Sequence, residues 1–299
     1  MPVSVCVITA AWNQVDKTLA CLESVRAQDY PDLSVLLVDN GSTDGTAEQV
    51  QAHFPQVEVI RLAENQGPTG GYNAGFGRAM AQGFELIFLI NNDTLLAPDC
   101  VSQLAAEAGR SAGVGLLMPK IYYASEPERI WSVGGWEKRW NLEVARPGAG
   151  RLDRGQWERP LDIDDVPFCA VMLRRGVLEQ IGLPDEAYYL YYEDRDYSRR
   201  VQRAGFRLRL VPAAKVWHAV SASSGGSDSP NERYWMARSS ILFFRQNVNR
   251  PLHWLIIVPW RLGSALRTSL RLLRGRRTDA LKAYWRGLRD GLRGGAEAP

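Results

Sequence analysis

The 299 residues have room for one large α/β domain with an appendage or for two modest domains, and a hydrophobic content of 45% can fill a sizeable core. Four cysteines, Cys6, Cys21, Cys100 and Cys169, lack metal-type spacing, which excludes a zinc-finger framework and marks them as reduced packing residues of a cytosolic protein. The net charge of +3 hides an asymmetry: residues 250–299 hold ten Arg and one Lys against Asp279, Asp290 and Glu297, a net +8, which leaves −5 on residues 1–249. A basic tail on a mildly acidic body points to an anionic partner, nucleic acid or a membrane surface, and says nothing about fold.

The chain opens directly as a strand, Val3 to Thr9, with no basic region before it, so no signal peptide is expected. A helix over Val15 to Gln28 follows, with Leu19, Leu22 and Val25 at helical spacing. Leu33 to Val38 is a second strand ending in the turn residues Asp39 to Gly45, and Thr46 to Phe54 is a short helix. Val57 to Leu62 is a third strand, and the Gly-rich segment Gly67 to Gly75 leads into a helix through Gln82. Leu86 to Ile90 is an apolar run that stops at Asn91-Asn92-Asp93, which reads as a buried strand with a polar end. Strands alternating with helices predict a parallel sheet covered on both faces, with the polar loops converging on its carboxyl edge, where ligands of open α/β sheets bind.

Pro98 to Gly109 reads as a helix, Val114 to Ile121 and Val166 to Leu173 as strands, and Gly176 to Ile181 as a short helix. Residues 122–162, rich in tryptophan and glycine, read as hairpins or a flap. Asp194 to Ala204 is a helix closed by Gly205; Phe206 to Val211 and Lys215 to His218 are two extended pieces. Ser221 to Pro230 is a small-residue loop, and Asn231 to Gln246 a helix. Leu252 to Trp260 is broken by Pro259 and far shorter than the roughly 20 residues that span a bilayer. Arg261 to Arg277, then a helix with Tyr284, Trp285 and Leu288, form a basic amphipathic tail.

Two constellations can carry chemistry. Thr9, Asn13, Asp39, Asn65, Asn73, Asn92 and Asp93 are hydrogen-bonding groups at or beyond strand ends, suited to a nucleoside base and ribose, and the glycines at 67, 70, 71 and 75 allow close backbone approach. Asp93 is placed to hold a divalent metal, and the metal a diphosphate, with His218 as a nitrogen ligand suited to Mn²⁺ as well as Mg²⁺. Glu193-Asp194, behind four tyrosines at a helix start, offers a general base beside an aromatic surface for a sugar. Each feature also has a plain structural reading: a turn after a strand, an Asp44 or Thr43 helix cap, acids favouring a helix N-terminus, a packed histidine.

The order of these residues resembles the family 2 glycosyltransferases, with a GT-A fold, over roughly residues 3 to 247. The resemblance rests on Val5-Cys6-Val7-Ile8-Thr9-Ala10-Ala11-Trp12-Asn13, Val38-Asp39-Asn40-Gly41-Ser42-Thr43-Asp44-Gly45, Glu64-Asn65-Gln66-Gly67 and Gly70-Gly71-Tyr72-Asn73-Ala74-Gly75. It continues through Asn91-Asn92-Asp93, Tyr191-Tyr192-Glu193-Asp194-Arg195-Asp196 and Val216-Trp217-His218, in the form of the branch with bacterial rhamnosyltransferases and galactofuranosyltransferases. It implies an α/β GT-A domain over 1–220, with a nucleotide-sugar half to about 121 and an acceptor half beyond, a segment 221–250 completing the acceptor side, and the basic tail 251–299.

The roles implied are Asp194 as catalytic base with Glu193 beside it, and Asp93 with His218 at a Mg²⁺ or Mn²⁺ site. Thr9, Ala11, Asn13, Asp39, Asn65, Gly67, Gly71, Asn73 and Asn92 are expected on the nucleotide-sugar, and Tyr191, Tyr192, Trp217 and Arg238 on the acceptor. Asn91 replaces the first acid of the Asp-x-Asp motif, so the metal is expected to lean on Asp93 and His218. The expected reaction is inverting transfer of a sugar, first rhamnose from dTDP-rhamnose and next a UDP-linked sugar, to a glycan or lipid-linked acceptor in cell-surface polysaccharide synthesis. It would take place at the cytoplasmic face of a membrane, with the tail on anionic lipid rather than nucleic acid. A sugar nucleotidyltransferase or a non-catalytic glycan-binding scaffold are the rival readings.

Overall fold

The computed structural model describes residues 3–219 and 227–294, so residues 221–226 of the small-residue loop lie outside the described residues. The first third follows the alternating pattern: β1 (Val5–Ala11), α1 (Val15–Arg26), β2 (Leu33–Asp39), α2 (Thr46–His53), β3 (Glu58–Arg61), α3 (Gly67–Ala81) and β4 (Leu86–Asn91). A three-residue strand β5 (Thr94–Leu96), α4 (Cys100–Arg110), β6 (Val114–Tyr123) and β7 (Glu126–Ser132) come next. A small pair β8 (Trp136–Glu137) and β9 (Val144–Ala145), then β10 (Leu161–Ile163), β11 (Ala170–Arg174), α5 (Arg175–Ile181), α6 (Glu193–Arg203) and β12 (Arg207–His218) complete the sheet region. Three helices close the chain: α7 (Pro230–Asn247), α8 (Trp254–Arg274) and α9 (Thr278–Arg293).

One mixed sheet runs in the order β10-β12-β6-β11-β4-β1-β2-β3. β1 through β4 are parallel, as are β6 and β12. β11 runs against both β4 and β6 and so separates two blocks that share a direction, and β5, β7 and β10 are also reversed, at the margin of the sheet. The ends of β1, β2, β4, β6 and β12 therefore meet at one edge. β4 is the central strand, buried on both faces from Leu86 to Ile90, which is why its sequence is a continuous apolar run.

Several sequence expectations change here. The Gly-rich segment is not a loop before a helix; it is the first half of α3. Its glycines bring that helix close to the sheet: a Cβ on Gly75 would lie 2.5 Å from Ile8 Cγ2, and one on Gly71 3.2 Å from Ala10 Cβ. The two extended pieces before His218 are a single strand, β12, with a register shift between Val211 and Lys215 around Pro212. That shift gives the proline a position with no ladder bond to supply. α8 also runs unbroken through Pro259; the proline removes one helical bond, and burial of Ile257, Ala265, Ser269 and Leu272 on either side of it holds the helix together.

The basic tail is docked rather than free. α9 lies across α7 through small residues: a Cβ on Gly287 would come 2.3 Å from the Tyr234 carbonyl oxygen, and one on Gly291 2.8 Å from that of Arg238. Gly287→Val pushes the two helices apart and lowers stability by about 1–3 kcal/mol, a loss read as a lower melting temperature with no change in far-UV helix content at low temperature.

Candidate functional site

Asp93 and His218 are brought together by the short strand that the sequence did not reveal. After β4, the turn at Asn91-Asn92-Asp93 is closed by Thr94 Oγ1 donating to the Asn91 carbonyl at 2.5 Å. β5 then pairs antiparallel with the end of β12, Thr94 opposite His218, and Ala219 N donates to the Asp93 carbonyl. The result is 3.1 Å between Asp93 Oδ1 and His218 Nε2, with both residues buried. Asn91 Nδ2 stands 3.5 Å from the same Nε2. Apart from this approach, Asp93 Oδ1 has no hydrogen-bond partner among the described residues, and neither has the other ring nitrogen of His218, Nδ1. Burial opposes a charge on His218, yet Cys169 and Asp93 beside it outweigh burial and push its pKa up to about 10. This pocket favours positive charge. Trp131 of β7 sits edge-on against the imidazole, with ring centroids 5.1 Å apart.

Among the described residues no three His, Cys, Asp or Glu side chains gather as a complete metal cage. The unpartnered Asp93 Oδ1, with His218 Nε2 against it as a nitrogen donor once the imidazole gives up its proton, fits a Mg²⁺ or Mn²⁺ ion that takes its remaining ligands from a diphosphate and water.

Glu193 and Asp194 open α6 and are presented by an unusual turn. Tyr191 and Tyr192 both adopt left-handed backbone, with φ of 66° and 70°. Two consecutive tyrosines in that region cost free energy, on the order of 1–3 kcal/mol each. Packing supports the turn: Tyr192 lies under the Arg195 guanidinium and against Phe243, and Arg195 donates to the Leu142 carbonyl. Glu193 is buried, whereas Asp194 is partly exposed. Burial, and then the charge of Asp194, hold the Glu193 carboxyl well above the usual carboxylate range. Asp194 is pushed up to about 6 by burial and by Asp165, against the pull of Arg146 and of the Arg195 N–H that donates to its Oδ1. Arg146 in turn holds Asp165 at 2.6 Å.

Tyr72 joins the two constellations. It is buried on α3, its hydroxyl donates to Asn91 Oδ1 at 3.0 Å, and it lies within electrostatic reach of Glu193, Cys169, Asp93 and Asp194. Burial first, then these acids, keep the hydroxyl protonated. The sequence places Tyr72 inside a motif without a role; Asp165, Arg146, Cys169 and Trp131 carry no signal, because each lies in the stretch between β6 and β11, whose elements are short and irregular.

The other expected site residues divide. Asp39, at the end of β2, opposes Ala11 of β1 and accepts from Ser42 N with Oδ1. Asn13 accepts from Thr43 N with its side-chain oxygen and donates its own backbone N–H to Ser42 Oγ, while the Asp44 carboxylate accepts from Val15 N and Thr46 N, so the first two strand-end loops are laced together. Asn65 Oδ1 braces the turn into α3 by accepting from Asn40 Nδ2 and Gly67 N. Asn73 donates to the Pro184 carbonyl and to Glu186, linking α3 to the loop before α6.

Eight expected contacts face protein instead, among them Ala11, which is buried in the cluster of Leu22, Leu37 and Val50. Thr9 is fully buried beside Cys21. Asn92 donates to Thr18 Oγ1 of α1. The missing side chains of Gly67 and Gly71 leave room for Tyr189 and for Ala10 with Asn40. Trp217 points to the opposite sheet face from its neighbour His218, because strand side chains alternate, and stacks on Tyr122. Tyr192 is in the core, and Arg238 is buried with its guanidinium donating to the Ala187 carbonyl. Tyr191 remains half-buried beside the carboxylates.

Residues 6–182 match the model of glycosyl transferase family 2, more than half of the chain. The N-acetylglucosaminyl-diphospho-decaprenol L-rhamnosyltransferase of Mycobacterium tuberculosis is 27% identical over 82% of this chain and 86% of its own length. The dTDP-rhamnosyl transferase RfbF of Shigella flexneri is 22% identical over 71% of each. Among solved structures, GalNAc-T7 with UDP, GalNAc and Mn²⁺ superposes with a TM-score of 0.59 at 14% identity, covering 80% of this chain and 51% of that one. The mannosyltransferase PcManGT of Pyrobaculum calidifontis, with GDP-Man and Mn²⁺, gives 0.56 at 18% identity, covering 98% and 76%. The fold is GT-A, and with its family-2 motifs gathered at one sheet edge the chain belongs to glycosyl transferase family 2 and is a glycosyltransferase.

Proposed function

We propose that this enzyme transfers rhamnose from dTDP-rhamnose, with inversion, to a lipid-linked sugar diphosphate such as an N-acetylglucosaminyl-diphospho-polyprenol, in the synthesis of a cell-surface polysaccharide at the cytoplasmic face of a membrane. The observation that carries the reading is the convergence of the Asp93–His218 pair and Asp194 around Tyr72. The identity to rhamnosyltransferases over most of both chains supports the donor.

In this reading Asp194, the accessible carboxylate, takes the proton of the acceptor hydroxyl as that oxygen attacks the anomeric carbon, and the bond from that carbon to the diphosphate oxygen breaks. Burial pushes the neighbouring Glu193 toward its neutral form, which keeps a second negative charge away from the base. Asp39 and the laced loops around Asn13 face the nucleoside, with Trp12, 47% exposed at the same edge, as a stacking surface for the base. Asp93 and His218 would hold a divalent ion, and when bound that ion supplies charge stabilisation for the departing diphosphate.

A panel of nucleotide sugars tests the reading, scored by nucleoside diphosphate release in the presence of a synthetic lipid-linked N-acetylglucosaminyl diphosphate. dTDP-rhamnose is expected to give the highest kcat/KM, with the rhamnose of the product in the anomeric configuration opposite to that of the donor. Turnover confined to UDP-sugars would move the assignment to a UDP-sugar transferase. Release of pyrophosphate would indicate a nucleotidyltransferase, and no turnover with any donor a binding scaffold.

A further inference from the structure

α8 has two faces of opposite character. Ile257, Ala265, Ser269 and Leu272 face inward. Outward, at helical spacing, stand Leu255, Leu262, Leu266 and Leu273, exposed by 73, 66, 61 and 52%, with Val258 and Leu270 beside them. Soluble surfaces scatter exposed leucines singly; a continuous stripe of this length marks an interaction site. The 21 residues of α8 contain no Asp or Glu and four Arg. Arg271 is taken up by Asp228, while Arg267 and Arg274 are exposed alongside the stripe.

An aromatic group flanks α8 on the side of the sheet domain. Trp140, 49% exposed in the loop between β8 and β9, packs edge-on against Trp260 of α8, and Arg267 lies over the Trp260 ring. His253 Nε2 meets the Trp140 carbonyl at 2.7 Å. Leucines with a basic rim and interfacial tryptophans match the boundary between acyl chains and anionic headgroups. A second copy of the chain is a poor occupant: two-fold pairing of α8 would bring two arginine-bearing helices together with no carboxylate on either to compensate. Among the described residues no helix is long and apolar enough to cross a membrane.

We propose that the outer face of α8, together with Trp140, docks on an anionic phospholipid surface with α8 lying in its plane. The same β8–β9 loop carries Leu142, which packs with Ile257 of α8 and Tyr192 and receives Arg195, so docking sets the height of Asp194 above the lipid. The inference stands on α8 and does not depend on which sugar is transferred.

Vesicle flotation of the full chain tests it, with phosphatidylcholine alone against phosphatidylcholine mixed with phosphatidylglycerol. The chain is expected to float with the anionic vesicles, and less so as salt is raised. Leu262→Ser with Leu266→Ser and Leu273→Ser is expected to cut partitioning by at least ~100-fold, and Arg267→Glu with Arg274→Glu to abolish the preference for phosphatidylglycerol. These side chains are exposed, so circular dichroism and nucleoside diphosphate release with a water-soluble acceptor should be unchanged. The proposal falls if the chain does not float, or if the leucine variant floats as well as the original. It also falls if light scattering shows a dimer that the leucine substitutions turn into monomers, which would assign the face to a second copy. Because flotation needs no donor, a failed donor screen would leave this result standing.

Discussion

Asp194→Asn lowers kcat for sugar transfer by ~1,000-fold and leaves donor binding intact. The amide keeps the shape of the side chain and the bond from Arg195 N to its oxygen, but cannot take a proton. Single-turnover measurements with saturating donor separate this from a binding defect: KM for the donor stays the same while the chemical step slows. Glu193→Gln is the control. Burial and the charge of Asp194 push the Glu193 carboxyl upward, toward its neutral form, so a neutral amide is expected to change little there and most activity to survive. If the two variants exchange behaviour, Glu193 is the base and Asp194 the spectator.

The elevated pKa of Asp194 has two consequences with definite signs. A base works unprotonated, so kcat/KM rises with pH through about 6 and levels off above it. For folding, the direction is opposite. The folded chain holds this proton more tightly than the unfolded chain, so stability falls as pH rises from the ordinary 3.8 to about 6 and stays lower beyond. Asn at 194 cannot ionise and removes that penalty. The inactive variant is therefore expected to melt at a higher temperature than the original at neutral pH, and at the same temperature below pH 4. A lower melting point at neutral pH would mean that Asp194 is a structural partner of Arg146 and not a carboxylate held in an unfavourable place for function.

Asp93→Ala is the second large effect, a loss of ~100- to 1,000-fold in kcat/KM. Removal of divalent ions by a chelator should give a similar loss in the original chain, reversed by Mn²⁺ or Mg²⁺, whereas the variant gains little from added ion. Binding of Mn²⁺ in the presence of nucleoside diphosphate, followed by its electron paramagnetic signal, gives a readout apart from turnover. The original should sequester the ion, Asp93→Ala should not, and His218→Ala should weaken it. With Asn91 replacing the first acid, only one carboxylate of the turn is available, so affinity without the nucleotide should be poor. Full activity in chelator would separate this chain from a metal-assisted mechanism, and Asp93–His218 would then serve as a charged pair beside the diphosphate.

Much of the fold could be read from local pattern. β1, β2, β3 and β4 are short apolar runs that stop at polar turn residues, and period and turn chemistry are local properties. The carboxyl-edge placement of Asp39 and Asp93 follows from that alternation, and Asp194 at a helix start is equally local. Element junctions were harder. Glycines at 67 to 75 looked like a loop because their helix propensity is poor; contact of α3 with Ile8 and Ala10, which tolerates no side chain there, decides otherwise.

By itself, then, the sequence determined the parallel first half of the sheet and the polar edge, and it singled out Asp93, Asp194 and His218 as candidates. The tertiary structure decided which of these groups meet. β5 is too short to be seen in a pattern, yet its pairing with β12 sets Asp93 against His218. The reversed strand β11 places Cys169 next to Asn91, and an irregular loop brings Arg146 and Asp165 to Asp194. Burial raised the carboxyl pKa values, and docking of α9 on α7 turned a basic tail into a helical layer with one apolar face outward. Each of these depends on contacts between residues far apart in the chain, which local propensity does not encode.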